Sequence, residues 1–314
     1  MMAVVDVVHY TDAGCPWCYS AEPVRIALEE RYGEQLRWRN VQVGLHESGD
    51  TMRQRGYTTA GLAESYRIIH ERHGMPFCVS ERPRLTGTWA GARAVKAAEM
   101  QGATAGDGLL RRLRLAWFVE VALVDEPEEL RRLAEDVAGL DLERFDEDVA
   151  AQSAAAAFAH DRDEARRPDP VAKALEKTAH PQREEAARYT TPSYVFSVDG
   201  RSASVPGFQP REAYEVVLQN LAPSLERRPE ADAAAFLGGR PGEPYATVEV
   251  AAAIGRSARA AARQLDKLAA DGAIVSTPAA LGELWSTGPP RLELRCPRAP
   301  ALLPRLAREM TDQM

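Results

Sequence analysis

Cys15-Pro16-Trp17-Cys18 restricts this chain more than any other stretch. It lies where a β-rich run, residues 3–9 (AVVDVVH), gives way to helical periodicity. Val24, Ala27, Leu28 and Tyr32 recur at near 3.6 spacing, and Gly33 stops the run. Residues 35–43 (QLRWRNVQV) then alternate apolar and polar. The chain therefore opens β-α-β with a C-x-x-C at the strand-to-helix junction, and Pro16 occupies a first-turn position where proline is tolerated. A cysteine at a helix start meets unpaired N–H groups, which favour thiolate over thiol. In such pairs the first cysteine's pKa falls from about 8.5 to between ~3.5 and ~7, and the second thiol lies one turn in, able to resolve a mixed disulfide.

Three chemistries compete for such a pair. Zinc needs two more ligands. His70, His73 and Cys78 are close in sequence, but their spacing fits no common zinc pattern and there is no second C-x-x-C. A structural disulfide fits poorly with a reducing compartment. A redox dithiol is the favoured reading. The compartment expected is the cytoplasm: MMAVVDVVHY has no basic n-region and carries Asp6, and no apolar run approaches the ~20 residues of a membrane span. With 45% apolar and 27% charged residues the composition is that of a globular protein, and a net charge of −7 excludes a global nucleic-acid or polybasic membrane footprint.

Further along, helices are expected near 60–72, 88–101, 108–122, 128–138, from 141 and over 170–187. Strand structure returns at 193–198, turns at Asp199-Gly200, continues at 202–206 and leads into an amphipathic helix at 211–221. The whole reads as an α/β fold: one sheet domain, residues 1–222, interrupted by a helical insertion over about 45–190. A Pro-, Gly- and Arg-rich linker is expected at 223–244. Residues 245–314 then read as a small winged-helix-like α+β unit: helix, tight turn at Gly255, helix capped by Ser257, and a hairpin. Arg256, Arg259, Arg263 and Lys267 cluster on its second helix. Residues 242–314 nevertheless carry nine Lys/Arg against eight Asp/Glu, so a nucleic-acid partner is not expected. The module is expected to be separable.

The second chemical signal is Thr190-Thr191-Pro192-Ser193-Tyr194 at the start of the returning strand. Together with Asp12-Ala13-Gly14-Cys15-Pro16-Trp17-Cys18-Tyr19, with Val205-Pro206-Gly207-Phe208-Gln209 and with residues 84–102, it makes the chain resemble a DsbA-like thioredoxin-family oxidoreductase of the FrnE type, related to 2-hydroxychromene-2-carboxylate isomerases and kappa-class glutathione transferases. The resemblance covers about residues 3–222. It implies a thioredoxin fold with Cys15 as nucleophile, Cys18 as resolving thiol and Pro192 as a cis-proline facing them. It also implies that the Thr191 backbone pairs with a substrate strand, and that Pro16 and Trp17 line the substrate side. The isomerase and transferase relatives use serine at the Cys15 position; a cysteine there favours disulfide exchange.

The function expected is thus a protein dithiol-disulfide oxidoreductase, a reductase or isomerase with no bound cofactor, whose partners are disulfide-containing proteins or small thiols, with glutathione or another low-molecular-weight thiol as a redox partner. Two rivals stand beside it: a redox-sensing adaptor or regulator using the C-terminal module, and a glutathione-dependent small-molecule isomerase or transferase. Asp12 is expected to be a turn residue, with a proton acceptor near Cys18 as the alternative, His9 a core histidine, and Cys78 and Cys296 lone thiols packed as small hydrophobes.

Overall fold

Strand β1 (Val5–Thr11) runs parallel to β2 (Leu36–Gln42), and the crossover between them is helical. The computed structural model describes residues 4–180 and 186–296. The crossover helix is broken rather than continuous. A first helix, α1 (Pro16–Ser20), ends at Ala21, and α2 (Glu22–Tyr32) restarts with Pro23 in its first turn. Proline has no N–H to close the preceding turn, so the break falls where the sequence places it. β5 (Ser193–Val198) lies antiparallel on the other side of β1, with His9 opposite Tyr194, and β6 (Arg201–Val205) hairpins back on it. The order β2-β1-β5-β6 makes one four-stranded mixed sheet. Val5, Val7, Phe196 and Tyr194 from the sheet pack with Leu28 and Tyr32 of α2 and with Tyr214 and Leu218 of the last helix of this body (Arg211–Leu221).

Between β2 and β5 the chain is almost wholly helical: α3 (Gly49–Gln54), α4 (Thr59–His73), α5 (Trp89–Glu99), α6 (Ala103–Leu115), α7 (Pro127–Ala134), α8 (Leu142–Ala150), α9 (Gln152–Ala165) and α10 (Pro170–Ala174). Helix α6 continues through a π turn, Ala116–Glu120. Leu109, Leu110, Leu113, Trp117 and Phe118 from this stretch form the centre of the insertion's core. The helix expected over 170–187 is much shorter. It stops after Ala174, Glu176 takes a left-handed φ of 54°, and two short strands follow, β3 (Thr178–Ala179) and β4 (Arg188–Tyr189). The middle of the expected helix, 181–185, lies outside the described residues.

The region read as a linker contains α12 (Ala233–Gly238), which follows the Arg211–Leu221 helix, α11. After it come β7 (Tyr245–Ala246), α13 (Thr247–Ala253), α14 (Ala258–Ala270), β8 (Val275–Pro278) and β9 (Glu283–Ser286), the last two a hairpin in a sheet of order β7-β9-β8. This unit does not stand apart from the body. Its core of Phe236, Tyr245, Val250, Leu265 and Trp285 includes Ile26 of α2, while its Ala246, Ala279 and Leu284 belong to the core of the insertion. Buried apolar surface on both sides of the junction removes the freedom a linker would give. A covalent tie adds to it: Cys78 and Cys296, read as lone thiols, form a disulfide across 218 residues of sequence. Among the described residues, no helix is long and apolar enough to cross a membrane.

Candidate active site

Cys15 caps α1 through its own sulfur. Its backbone is extended (φ −85°, ψ 112°), and Sγ accepts the Cys18 N–H at 3.4 Å. The Thr191 hydroxyl donates to the same sulfur at 3.2 Å, and the Thr191 carbonyl oxygen lies 3.6 Å from it. The Thr191–Pro192 peptide is cis, and the register of β5 against β1 carries this turn to the Cys15 loop. So two segments 176 residues apart meet at one sulfur.

The two thiols are driven in opposite directions. Burial pushes Cys15 up, but the hydrogen bonds from the Cys18 thiol, the Thr191 hydroxyl and the Cys18 N–H outweigh it and hold Cys15 below the usual thiol value. Burial raises Cys18 well above that value, and its bond to Cys15 and the charge of Cys15 push the same way. The Arg114 guanidinium and the Thr11 hydroxyl oppose this without prevailing. A proton leaving the pair therefore comes from Cys15 first. Cys15 is 3% exposed and Trp17 36% exposed. The Trp17 ring meets His73 at 5.5 Å and Phe208 at 5.6 Å, so a small aromatic cluster stands beside the dithiol.

Asp12 is a buried turn residue. Its carboxylate accepts from the N–H groups of Gly14 and Leu45, both at 2.9 Å, and from the Thr88 hydroxyl at 3.0 Å. These bonds fasten the Cys15 loop to the end of β2 and to the insertion, and burial still leaves the Asp12 carboxyl raised. His9 lies in the core, stacked on Tyr194 with ring centroids 4.4 Å apart, and its Nδ1 pairs with Asn40 Oδ1 at 3.1 Å. Of the three residues weighed as zinc ligands, His70 Nδ1 pairs with the Met75 carbonyl at 2.7 Å, His73 packs on Phe208, and Cys78 is in its disulfide. Among the described residues no group of three His, Cys, Asp or Glu side chains is placed to hold a metal ion.

Sequence reasoning missed the charges beneath the dithiol. Arg114 of α6 is buried against Glu22 and the Thr11 hydroxyl. Arg111, one turn earlier, reaches Glu22 at 3.4 Å and Glu249 of the C-terminal unit at 2.8 Å. From the sequence Arg111 and Arg112 read as a solvated helix face; the structure instead places Arg111 against Glu22 and Glu249 and buries Arg112 against Glu120.

A family model described as Thioredoxin matches residues 9–168, just over half of the chain and including the C-x-x-C. The chain belongs to this thioredoxin family. The ClpXP adapter protein SpxH of Halalkalibacterium halodurans is 28% identical over 291 residues, covering 90% of this chain and 88% of that protein. The protein of the same name from Bacillus subtilis is 31% identical over 159 residues, 49% of this chain and 51% of that one. Among solved structures, a candidate protein disulfide isomerase from Nitrosomonas europaea superposes with a TM-score of 0.54 at 16% identity, covering 69% of this chain and 97% of its own. A candidate DsbA oxidoreductase from Streptomyces coelicolor gives 0.50 at 19% identity, covering 69% and 89%. The likeness of these structures is one of fold: a DsbA-like thioredoxin fold, to which this chain adds a small C-terminal domain.

Proposed function

We propose that the chain is a thiol-disulfide oxidoreductase that reduces or isomerises disulfides through Cys15 and Cys18. The observation that carries this reading is the pair of thiols at a helix start, Cys15 Sγ taking hydrogen bonds from the Cys18 N–H and the Thr191 hydroxyl beside the cis Thr191–Pro192 peptide, with Cys18 buried one turn in. Cys15 attacks a substrate disulfide and forms a mixed disulfide, releasing the first substrate sulfur as thiolate. Cys18 then loses its proton and attacks Cys15 Sγ, releasing the second. The dithiol supplies both electrons. The Thr191–Pro192 turn lies beside the attacked sulfur, its carbonyl accepting from the Cys15 thiol at 3.6 Å, and this backbone would pair with an extended substrate at the rim formed by Pro16 and Trp17. No bound cofactor is required, and a low-molecular-weight thiol such as glutathione would restore the dithiol. The test is trapping: Cys18→Ala should retain clients as mixed disulfides on Cys15, identified by mass spectrometry, and Cys15→Ser should abolish insulin reduction. An undiminished Cys15→Ser activity would sink the reading.

A second reading is a protein adapter. It is favoured by the relative named ClpXP adapter protein SpxH, which aligns along 90% of this chain and so through the C-terminal unit. On this reading the client is held without disulfide exchange, and Cys15→Ser captures it as well as the unaltered protein does.

A further inference from the structure

Two arginines stand next to the Cys15 loop without a carboxylate of their own. Arg188, on β4, lies three residues before the threonine that binds Cys15. Its Nη1 donates to the Tyr189 carbonyl at 2.8 Å, and among the described residues it forms no ion pair. The charged groups that face it are Cys15, Asp12, Arg166 and Arg55. Arg55 follows α3 and approaches from the other segment. Its Nη1 donates to the Leu45 carbonyl at 2.8 Å and to His46 Nδ1 at 3.3 Å, while its buried Nε has no partner. Leu45 is itself bonded to Asp12, three residues before the nucleophile. Arg188 thus lies within charge reach of Cys15 and Asp12, and Arg55 is tied to the Asp12 turn through Leu45.

Among the described residues, the acids within reach form no ion pair with them, although the charges of Cys15 and Asp12 act on Arg188. Asp12 spends its oxygens on two N–H groups and a hydroxyl. His46 faces both arginines and is held down to about 4 by burial first and then by their charges, so it is neutral at pH 7 and accepts from Arg55. Several partly buried arginines of this chain are paired with acids, Arg25 with Glu29 and Asp107, Arg111 with Glu249, Arg112 with Glu120 and Asp136, whereas the buried Arg82 is held by the Trp117 and Ala122 carbonyls. Desolvating a guanidinium without a counter-charge is costly, and the cost is recovered when an anion arrives. Arginine's fixed fork suits a carboxylate in particular.

We propose that Arg188 and Arg55 form an anion-reading subsite beside Cys15, so that the disulfides this chain attacks carry a carboxylate close to the attacked sulfur. The proposal rests on Cys15 being the nucleophile and adds the charge of its substrate. Attack balances as before: the Cys15 thiolate forms the new S–S bond, the substrate S–S bond breaks, and the carboxylate stays on the half that remains bound.

The test uses the full chain, reduced beforehand and freed of reductant, and three small disulfides: dianionic 3,3′-dithiodipropionate, neutral bis(2-hydroxyethyl) disulfide and dicationic cystamine. Second-order rates of attack are read by quenching and intact mass, counting the mixed disulfide on Cys15 together with the Cys15–Cys18 disulfide that it resolves to. Each is divided by the rate of 2-mercaptoethanol thiolate with the same probe, which removes intrinsic reactivity. The dianion is expected to be favoured over the neutral probe by about tenfold or more, as a charge-assisted hydrogen bond provides, and cystamine to be disfavoured. Arg188→Gln and Arg55→Gln should each lower the dianion-to-neutral ratio, and the double variant should bring it to the reference thiol's. Taking the ratio cancels any general change in Cys15 reactivity. An unaltered protein with no preference for the dianion overturns the subsite without any variant being needed. So do folded variants that keep the preference. Silence toward all three probes instead removes Cys15 as nucleophile, and the subsite with it.

Discussion

Replacing Arg111 by Met should loosen the join between the C-terminal unit and the body. Arg111 Nη1 and Nη2 bind the two oxygens of Glu249 at 2.8 and 3.3 Å, Nη2 also donates to the Pro244 carbonyl at 2.7 Å, and the guanidinium lies 4.2 Å above the Tyr245 ring. Glu249 is 0% exposed. Met fills much of the same volume but leaves that carboxylate with the Ala246 N–H, at 2.7 Å, as its remaining hydrogen-bond partner. Breaking a buried pair from one side costs about 3–5 kcal/mol, because a charge is left desolvated and unpaired. For a chain of this size that lowers Tm by about 5–8 °C. Glu249→Gln removes the charge while keeping an acceptor for Ala246, so the double variant should recover at least half of the loss. Urea unfolding followed by circular dichroism and by tryptophan fluorescence is the assay. Because Ile26 and Leu284 place the two units in shared cores, both probes should report one transition in every variant. A loss under about 1 kcal/mol, or two resolved transitions in the unaltered protein, would refute the account of a buried clasp.

Further expectations concern single groups. Alkylation of the reduced protein should occur at Cys15 with a pH midpoint below the ~8.5 of a free thiol, and Thr191→Val should move that midpoint up because a donor to the thiolate is lost; preferential labelling of Cys18 would contradict this. His46 has a folded value of about 4, below its ordinary 6.5, so between those values the native state binds fewer protons than the unfolded chain. Stability should therefore fall as pH drops through that window, and His46→Gln should flatten the slope in urea titrations at pH 7 and 4.5. Cys296→Ala opens a loop of 218 residues and should cost between about 2 and 5 kcal/mol by the loss of a constraint on the unfolded chain, with the C-x-x-C untouched; an unchanged midpoint would show that the bond does not form.

What the sequence revealed follows from the range of each signal. The β-α-β opening, the C-x-x-C at its junction, the Asp199-Gly200 hairpin and the Thr191-Pro192 turn are all written in a few adjacent residues, and each lies where local chemistry puts it. The end of α10 was illegible because no glycine or proline marks it; a glutamate takes the left-handed turn instead. Helix α12 was hidden by the Pro, Gly and Arg around it, although Asp232 caps it through the Ala235 N–H. The Cys78–Cys296 bond, the Arg111–Glu249 clasp and the bond from the Thr191 hydroxyl to Cys15 each join segments over a hundred residues apart. No periodicity or spacing records such meetings, because only the folded packing brings them about.

The Cys78–Cys296 bond also changes the chain's mechanics. Once closed, it makes a covalent ring from residue 78 to residue 296 that holds most of the insertion, β5, β6 and nearly all of the C-terminal unit. Tension applied at the two ends bypasses that ring and stretches only what lies outside it, chiefly β1, α2, β2 and α4. At ~3.3–3.6 Å per residue, roughly 700–800 Å of contour length stays out of reach until the bond is reduced. In a single-molecule pull the oxidised and reduced chains would therefore extend by very different amounts, and the short extension belongs to the part that carries Cys15 and Cys18.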